Sequence, residues 1–516
     1  MRRRLFALGM APAIASITIV GLPALGYGPA RAAEGTLRVG FVDGPEGLDP
    51  AYAVVGASHQ IIDLVYSGLT KLDNNANPVP DLAESWTIDS TGTVYTFQLR
   101  AGVKFHDGTP LTADDVVYTF QRLKNPKTGY AYATQVESIA DVKALGPLTA
   151  QFTLSKPTGP FLTFLAFPGN FIVPKHLAMS GPSLTSHPVG TGPFKFVSYS
   201  PDRELILEAN QNYYMPGIPR VEKLDIKYIA DDTERANALL GGNIDFASRV
   251  GTKDYDNIVA TPGFAGTEEV GGRWFWIMTQ DETPPTNNPL VRLAISYAID
   301  RQAMVDTLFF GHARPILGGP IPSWSWAYDK STNIIPLHGD IDRAKALLKQ
   351  AGYPNGVRIT MILGSTWQNL VEQGPLIKAM LARAGIDVTL TSMENPRYMD
   401  LVWSKGDYQI SNMFWLSPLA DPDDFTYLNY RCGSGMNPQK FCDPKLDALL
   451  QQARYTNDKA ARKALYTQAT ELLLKEMPLV PTVTATMLDA FSTKVKGWEP
   501  MRTGMYWNLS KVTLEG

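Results

Sequence analysis

The chain has 516 residues, of which 44% are hydrophobic and 19% charged, and its formal charge is −3. That length supports two or three domains with cores of their own, and the composition is that of an ordinary globular protein rather than a disordered or fibrous one. Mild acidity offers nothing to nucleic acid or to an anionic membrane surface, so neither is expected as a partner.

Residues 1–32 hold four arginines and no acid. Arg2-Arg3-Arg4 is a basic start, Leu5 to Tyr27 carries no charge, and Ala30-Arg31-Ala32 fits a small-x-small cleavage site. This is the pattern of a secretory signal peptide. Arg3-Arg4-Leu5-Phe6 also suits twin-arginine export, and an ordinary Sec signal fits at least as well. The alternative is an uncleaved anchor: the apolar run is long enough to span a bilayer, but Pro12 and Pro23 weaken it. Export makes a disulfide the default for the only two cysteines, Cys432 and Cys442. Buried free thiols are the alternative, and a metal site is disfavoured because no histidine is nearby in sequence.

Beyond residue 33, residues 36–42 read as a strand and 57–66 as a helix. Residues 93–99 alternate apolar and polar side chains, as a strand does. His106-Asp107-Gly108-Thr109-Pro110 is a turn built on a DG step and closed by proline. Thr112 then starts a helix, with Asp115 placed to accept from the free N–H groups of its first turn. Strands follow near 138–145 and 149–154. Gly190-Thr191-Gly192-Pro193-Phe194 opens another, and its glycines read as residues needing backbone angles that others resist. It is not a phosphate loop, which needs a Gly-Lys pair opening a helix. Residues 203–209 and 223–229 are strands. Residues 231–240 form a helix with Glu234 and Arg235 outward and Leu239 and Leu240 inward.

Residues 274–279 are expected to be a strand, and Pro284 to Pro289 a boundary. After it, helices over 291–299, 340–351, 375–384, 443–453 and 458–475 alternate with strands over 358–363, 387–391 and 408–415, as in an α/β lobe. The last segment, 479–516, is strand-like. No HExxH, GxSxG or Walker A pattern occurs, and the six histidines lie far apart. The chain is therefore read as a non-enzyme with no cofactor and no metal. Asp421, Asp423 and Asp424 suggest paired carboxylates, but the Asp-Pro step reads as a helix start, with Asp423 and Asp424 as the capping acids.

Several motifs carry a resemblance. They are Pro80-Asp81-Leu82-Ala83-Glu84-Ser85-Trp86; Phe97-x-Leu99-Arg100-x-Gly102-Val103-Lys104-Phe105-His106-Asp107-Gly108; Leu111-Thr112-Ala113-Asp114-Asp115-Val116; Pro289-x-Val291-Arg292-x-Ala294; and Asp443-Pro444-x-x-Asp447-x-Leu449-Leu450. Together they resemble the family 5 extracellular solute-binding proteins, the peptide, nickel and opine receptors of ABC importers. The resemblance implies an α/β, periplasmic-binding-protein-like fold of two lobes with an extra inserted lobe, of the large cluster C type. It places lobe I at 33–67, 190–285 and 481–516, the inserted lobe at 68–189 and lobe II at 286–480. The chains cross between lobes near 280–286 and 480–488. It further implies a periplasmic monomer that captures a small-molecule ligand and delivers it to the transmembrane subunits of an ABC permease. A secreted hydrolase on a similar scaffold, or a sensor without transport, is the alternative.

Clefts in two-lobed receptors lie on loops at strand ends. The resemblance singles out Val54-Val55-Gly56, shortly after Pro45-Glu46-Gly47; Gly364-Ser365-Thr366-Trp367-Gln368; and Phe414-Trp415-Leu416-Ser417-Pro418. The candidate ligand residues are Glu46, Val55, Gly56, Trp274, Trp276, Trp367, Trp415 and Asp421. Each tryptophan has core packing as its other reading, and Glu46 or Asp421 would neutralise a bound cation. Dipeptide-binding relatives carry an aspartate where this chain has Pro418 and an arginine near the loop that here reads Gly364-Ser365-Thr366. An unpartnered buried charge costs several kcal/mol, so a free zwitterionic dipeptide held at both ends in that way is disfavoured. An opine- or sugar-derived solute, or a cation over tryptophan faces at about 0.5–2 kcal/mol per ring, fits better.

Overall fold

The computed structural model describes residues 35–180, 183–417, 419 and 421–515. The signal segment over 1–32 and Pro418 lie outside the described residues. One eleven-stranded sheet runs through the molecule. Its strands lie in the order Ile386–Met393, Val357–Gly364, Ile410–Leu416, Phe264–Thr279, Leu479–Ser492, Phe246–Ala247, Thr36–Phe41, Lys223–Tyr228, Glu204–Ala209 and Phe194–Ser200, with Ala313–Pro315 added beside Leu479–Ser492. The architecture is the mixed α/β one expected.

Two long strands dominate it. Phe264–Thr279 reaches ten residues further back than the 274–279 strand expected, because residues 264–270 pair antiparallel with 486–492. Residues 274–278 pair with 479–484, and the register shifts between Val270 and Trp274. On one side of the break, Phe275 and Ile277 pack with Val291, Ile295, Met361 and Ile410. On the other, Leu37, Val39, Phe194, Leu224 and Phe246 form a separate core.

Residues 83–154 carry a four-stranded antiparallel sheet covered by the helix Ala113–Lys124. Here the local reading holds. Thr112 N–H donates to the Asp115 carboxylate at 2.9 Å, and Gly108 takes the positive φ that its turn requires.

Two readings are corrected. Arg235 in the helix Asp232–Leu240 is buried while Leu240 is exposed. The Arg235 guanidinium donates to the main-chain oxygens of Ile229, Ser248 and Arg249 at 2.6, 3.0 and 2.8 Å, so its charge is satisfied inward. Gly190 and Gly192 have no positive φ; they are glycines because a Cβ there would meet the Val65 main chain at 2.2 and 2.5 Å.

Cys432 and Cys442 are bonded, with their Cα atoms 4.6 Å apart. A loop of that length contributes about 3 kcal/mol by the chain-entropy estimate. No helix among the described residues is long and apolar enough to cross a membrane.

Candidate functional site

The expected site residues divide into four groups. Trp274 and Trp276, on alternate positions of one strand, share a face and are 2% and 3% exposed. Their rings lie 4.3 Å apart, with Phe425 against Trp274 at 5.8 Å. They are core residues first. Even so, their indole N–H groups find no acceptor, and Trp274 borders a cavity of about 90 Å³ shared with Ile316, Pro320 and Thr484. Trp415 is the cross-strand partner of Trp274 and is only partly buried. Cross-strand partners project to the same face, so the sheet gathers Trp274, Trp276 and Trp415.

Trp367 stands apart from them. It caps the helix Gln368–Arg383, which begins earlier than the 375–384 expected and contains Pro375. Its ring meets Phe414 at 6.2 Å and Tyr398 at 6.0 Å. Glu46, Val55 and Gly56 lie on other elements, before and at the start of a helix. Glu46 is exposed, and its N–H donates to Ser58 Oγ at 3.2 Å. Val55 and Gly56 open the helix Gly56–Val65. Arg122 fixes the loop before them through a buried pair with Asp49 at 2.6 Å.

Asp421 is not available as a counter-charge. It is the N-cap of the helix Pro422–Tyr430, accepting from Asp423 N–H at 2.9 Å, and it pairs with buried Arg462 at 2.7 Å. The capping role expected of Asp423 and Asp424 thus belongs to Asp421, two and three residues earlier. Asp423 instead faces Arg454 at 3.6 Å. Among the described residues no cation pairs with Asp424. Burial pushes its carboxyl up to about 7, while Ser417 and Trp415 offset part of the rise.

Across from Asp424 is Tyr132, whose hydroxyl donates to Val54 O at 3.2 Å. The Asp424 charge raises the Tyr132 pKa, though burial is the larger cause. Tyr132 also stacks edge-on to Phe167 at 4.6 Å. Leu419, just after the Trp415 strand, packs onto Phe164 and Phe167. Tyr132, Phe164 and Phe167 on one side, and Trp415, Leu419 and Asp424 on the other, therefore belong to two facing walls.

Arg454 joins these walls. It donates to Thr134 O and lies 4.2 Å from the Tyr427 ring and 5.3 Å from the Phe164 ring. At the other edge Lys253 approaches Glu372 at 4.0 Å. Sequence reasoning passed over Tyr132, Arg454, Arg273 and the lack of a paired cation at Asp424. Only Arg273 left a signal, as a lone charge heading the apolar run Trp274-Phe275-Trp276-Ile277-Met278.

The buried acids give the fold a definite response to pH. Burial raises Asp63 and Asp424 to about 7 and Asp489 to about 6; in the unfolded chain such groups ionise near about 4. Between those values the folded chain keeps protons that the unfolded chain has lost. Their contribution is therefore whole below about pH 4 and is lost as pH rises through about 6 to 7. Burial lowers His59 and His106 to about 4, and their opposing effect lies below about pH 6.5. The melting temperature is expected to fall from pH 6.5 to pH 8. A calorimetric rise over that interval would count against these acids being buried as described.

The model of bacterial extracellular solute-binding proteins, family 5, matches residues 77–437. Di/tripeptide-binding protein 2 of Pseudomonas aeruginosa is 30% identical over 503 residues, covering 91% of this chain and 93% of that protein. A glutathione-binding protein of Shigella flexneri is 28% identical over 466 residues, covering 87% and 89%. Among solved structures, DppA from Helicobacter pylori in complex with the peptide STSA superposes with a TM-score of 0.83 at 30% identity, covering 94% of this chain and 99% of that one. AgaA from A. tumefaciens R10 in complex with agropinic acid gives 0.81 at 29%, covering 93% and 99%.

Proposed function

Starting from the family 5 bacterial extracellular solute-binding proteins, to which the chain belongs, we propose that it is the periplasmic capture component of an ABC importer. It takes one small organic solute of the peptide or opine class between two lobes and presents the closed form to the membrane subunits of the permease. The lobes follow the division 33–67, 190–285 and 481–516 for the first, 68–189 for the inserted one and 286–480 for the second. The flexing point lies earlier than the 285/286 boundary, at the register shift between Val270 and Trp274 opposite Thr484 to Thr486, since Phe275 and Ile277 already pack with Val291 and Met361 of the second lobe.

The observation that carries this reading is the pair of facing walls. One holds Trp415 and Asp424, a buried acid with no cation paired to it among the described residues, and the other holds Tyr132, whose hydroxyl reaches the Val54–Gly56 loop. An aromatic face, a phenol and a carboxyl without a cation suit a solute that has an amino group as well as apolar bulk. Closure around such a solute needs only that it bind the closed form better than the open one. The relatives that bind di- and tripeptides, glutathione and agropinic acid support the class. Among the described residues of the walls no nucleophile stands beside a base, which favours capture over turnover.

A thermal-shift screen of di- and tripeptides, glutathione, opines and neutral sugars tests this. At about 100 times Kd a ligand adds about 2.7 kcal/mol, which in a chain of this size raises Tm by a few degrees. The reading expects such a shift from a peptide or opine, with a smaller radius of gyration in solution. Turnover of the added compound would overturn it.

A further inference from the structure

Arg273 stands where the pairing of the two long strands breaks, between Val270 and Trp274. Trp274 and Trp276 face one side of the strand, so Arg273 and Phe275 face the other. There the guanidinium lies 4.3 Å from the centre of the Phe414 ring and 5.3 Å from that of Phe275. Its Nε is buried with no acceptor, and no carboxylate or carbonyl among the described residues pairs with it.

The charges that reach it are already engaged. They are Arg249, Asp232 and Asp43. Asp232 is held by Arg235 at 2.5 Å and Asp43 by Arg249 at 2.9 Å. Burial, with Arg249 adding to it, lowers the Arg273 pKa to about 10. Buried arginines with a structural role in this chain look different. Arg301 donates to Pro481 O at 2.7 Å and Ser296 O at 3.1 Å, and Arg292 donates to Glu476 O at 2.7 Å and Thr286 O at 3.0 Å. A partly buried cation that lies against two rings, with its Nε enclosed and no carboxylate paired to it among the described residues, is short of one partner, and a planar fork is shaped for a carboxylate.

We propose that Arg273 is the anion anchor of the cleft and that the solute carries a carboxylate which docks on its guanidinium, at the hinge end and on the strand face opposite that of Trp274 and Trp415. The proposal rests on the capture reading above and narrows its ligand. Peptides and opines qualify, and neutral sugars do not. The anchor stands on a different strand from the loop Gly364-Ser365-Thr366, which holds no arginine.

The test uses the full-length exported protein and three probes: the peptide Ser-Thr-Ser-Ala and glutathione, each beside its C-terminal amide, and agropinic acid. Titration calorimetry is expected to give the wild type at least a 30-fold preference for an acid over its amide. Arg273→Met, which keeps the packing over Phe414, is expected to lose about 100-fold for the acid and less than threefold for the amide. Arg273→Lys should fall between, since it keeps charge without the fork. An unchanged acid-to-amide ratio in Arg273→Met overturns the proposal. So does a neutral sugar that binds the wild type as tightly as any acid, and in that case capture itself still stands.

A ligand-free comparison decides the matter even if no probe binds the wild type, an outcome that counts against the capture reading. Removing an unpaired cation should leave the Tm of ligand-free Arg273→Met unchanged or higher. A fall of more than about 5 °C marks a structural arginine and overturns the anchor; Arg273→Lys repeats the comparison if the methionine variant does not fold.

Discussion

Gly192→Ala is expected to lower the stability of the chain by more than about 4 kcal/mol, or to prevent folding. Overpacking a core usually costs about 1–3 kcal/mol because side chains can shift. Here the new Cβ would sit 2.5 Å from the carbonyl carbon of Val65 and 2.7 Å from Leu64 O, and main chain inside a helix cannot move aside alone. Gly192 N–H also donates to Val65 O at 2.9 Å, while its oxygen pairs with His106 Nε2 and accepts from Asn210 Nδ2, both at 3.0 Å. The methyl would push apart three segments at once. One is the helix Gly56–Val65, whose start forms a wall of the site, so ligand affinity should fall as well. Gly146→Ala is the control, because nothing lies within 4 Å of its added Cβ. Urea unfolding should separate the two variants clearly; equal midpoints would refute the close-packing argument.

Arg454→Met should weaken ligand binding about 10- to 100-fold without touching the ligand. Its guanidinium bridges Thr134 on one side of the cleft and Asp423 on the other, at 3.6 Å from the latter. The bridge exists only while the walls are together. Hydrogen bonds to charged groups are worth about 1.5–3 kcal/mol, and each 1.4 kcal/mol is about tenfold in an equilibrium constant. The loss should appear as faster ligand release and a more open protein in small-angle scattering. Asp423 would be left buried and unpaired, so Arg454→Met with Asp423→Asn separates closure from fold stability. Lys253→Ala is the contrasting variant. The Lys253–Glu372 pair is 4.0 Å apart and exposed, and such pairs contribute about 0–1 kcal/mol. If Arg454→Met and Lys253→Ala bind alike, the bridge does not control closure.

How much of this was readable in the chain follows from how local each interaction is. The segment 80–120 could be read almost residue by residue because its determinants are neighbours: Asp107 accepts from Thr109 N–H at 3.0 Å and Asp115 caps Thr112. The cap was placed on Asp423 and Asp424, and Asp421 was read as a counter-charge, because three acids lie within four residues; the structure makes Asp421 the cap and pairs it with Arg462. Arg235 misled because charged residues usually face water; here carbonyls brought close by the fold take its N–H groups. The tight contact of Gly192 is with Val65, far away in sequence, and no pattern announces it. The α/β alternation of the second half was legible from periodicity, whereas the union of both halves in one sheet was not, because it depends on strands 264–279 and 479–492 finding each other. At the site, Trp415 could be named. That Asp424 lacks a cation and Arg273 an anion is a statement about absent neighbours, which a sequence does not contain.

Hydrogen exchange, with and without the solute found in the thermal screen, tests the central claim most directly. Capture between facing walls predicts that exchange slows together in residues 130–137 and 414–427, with a smaller change at 270–274 as the flexing point is fixed. Slowing confined to one wall, or lying outside both, would contradict it.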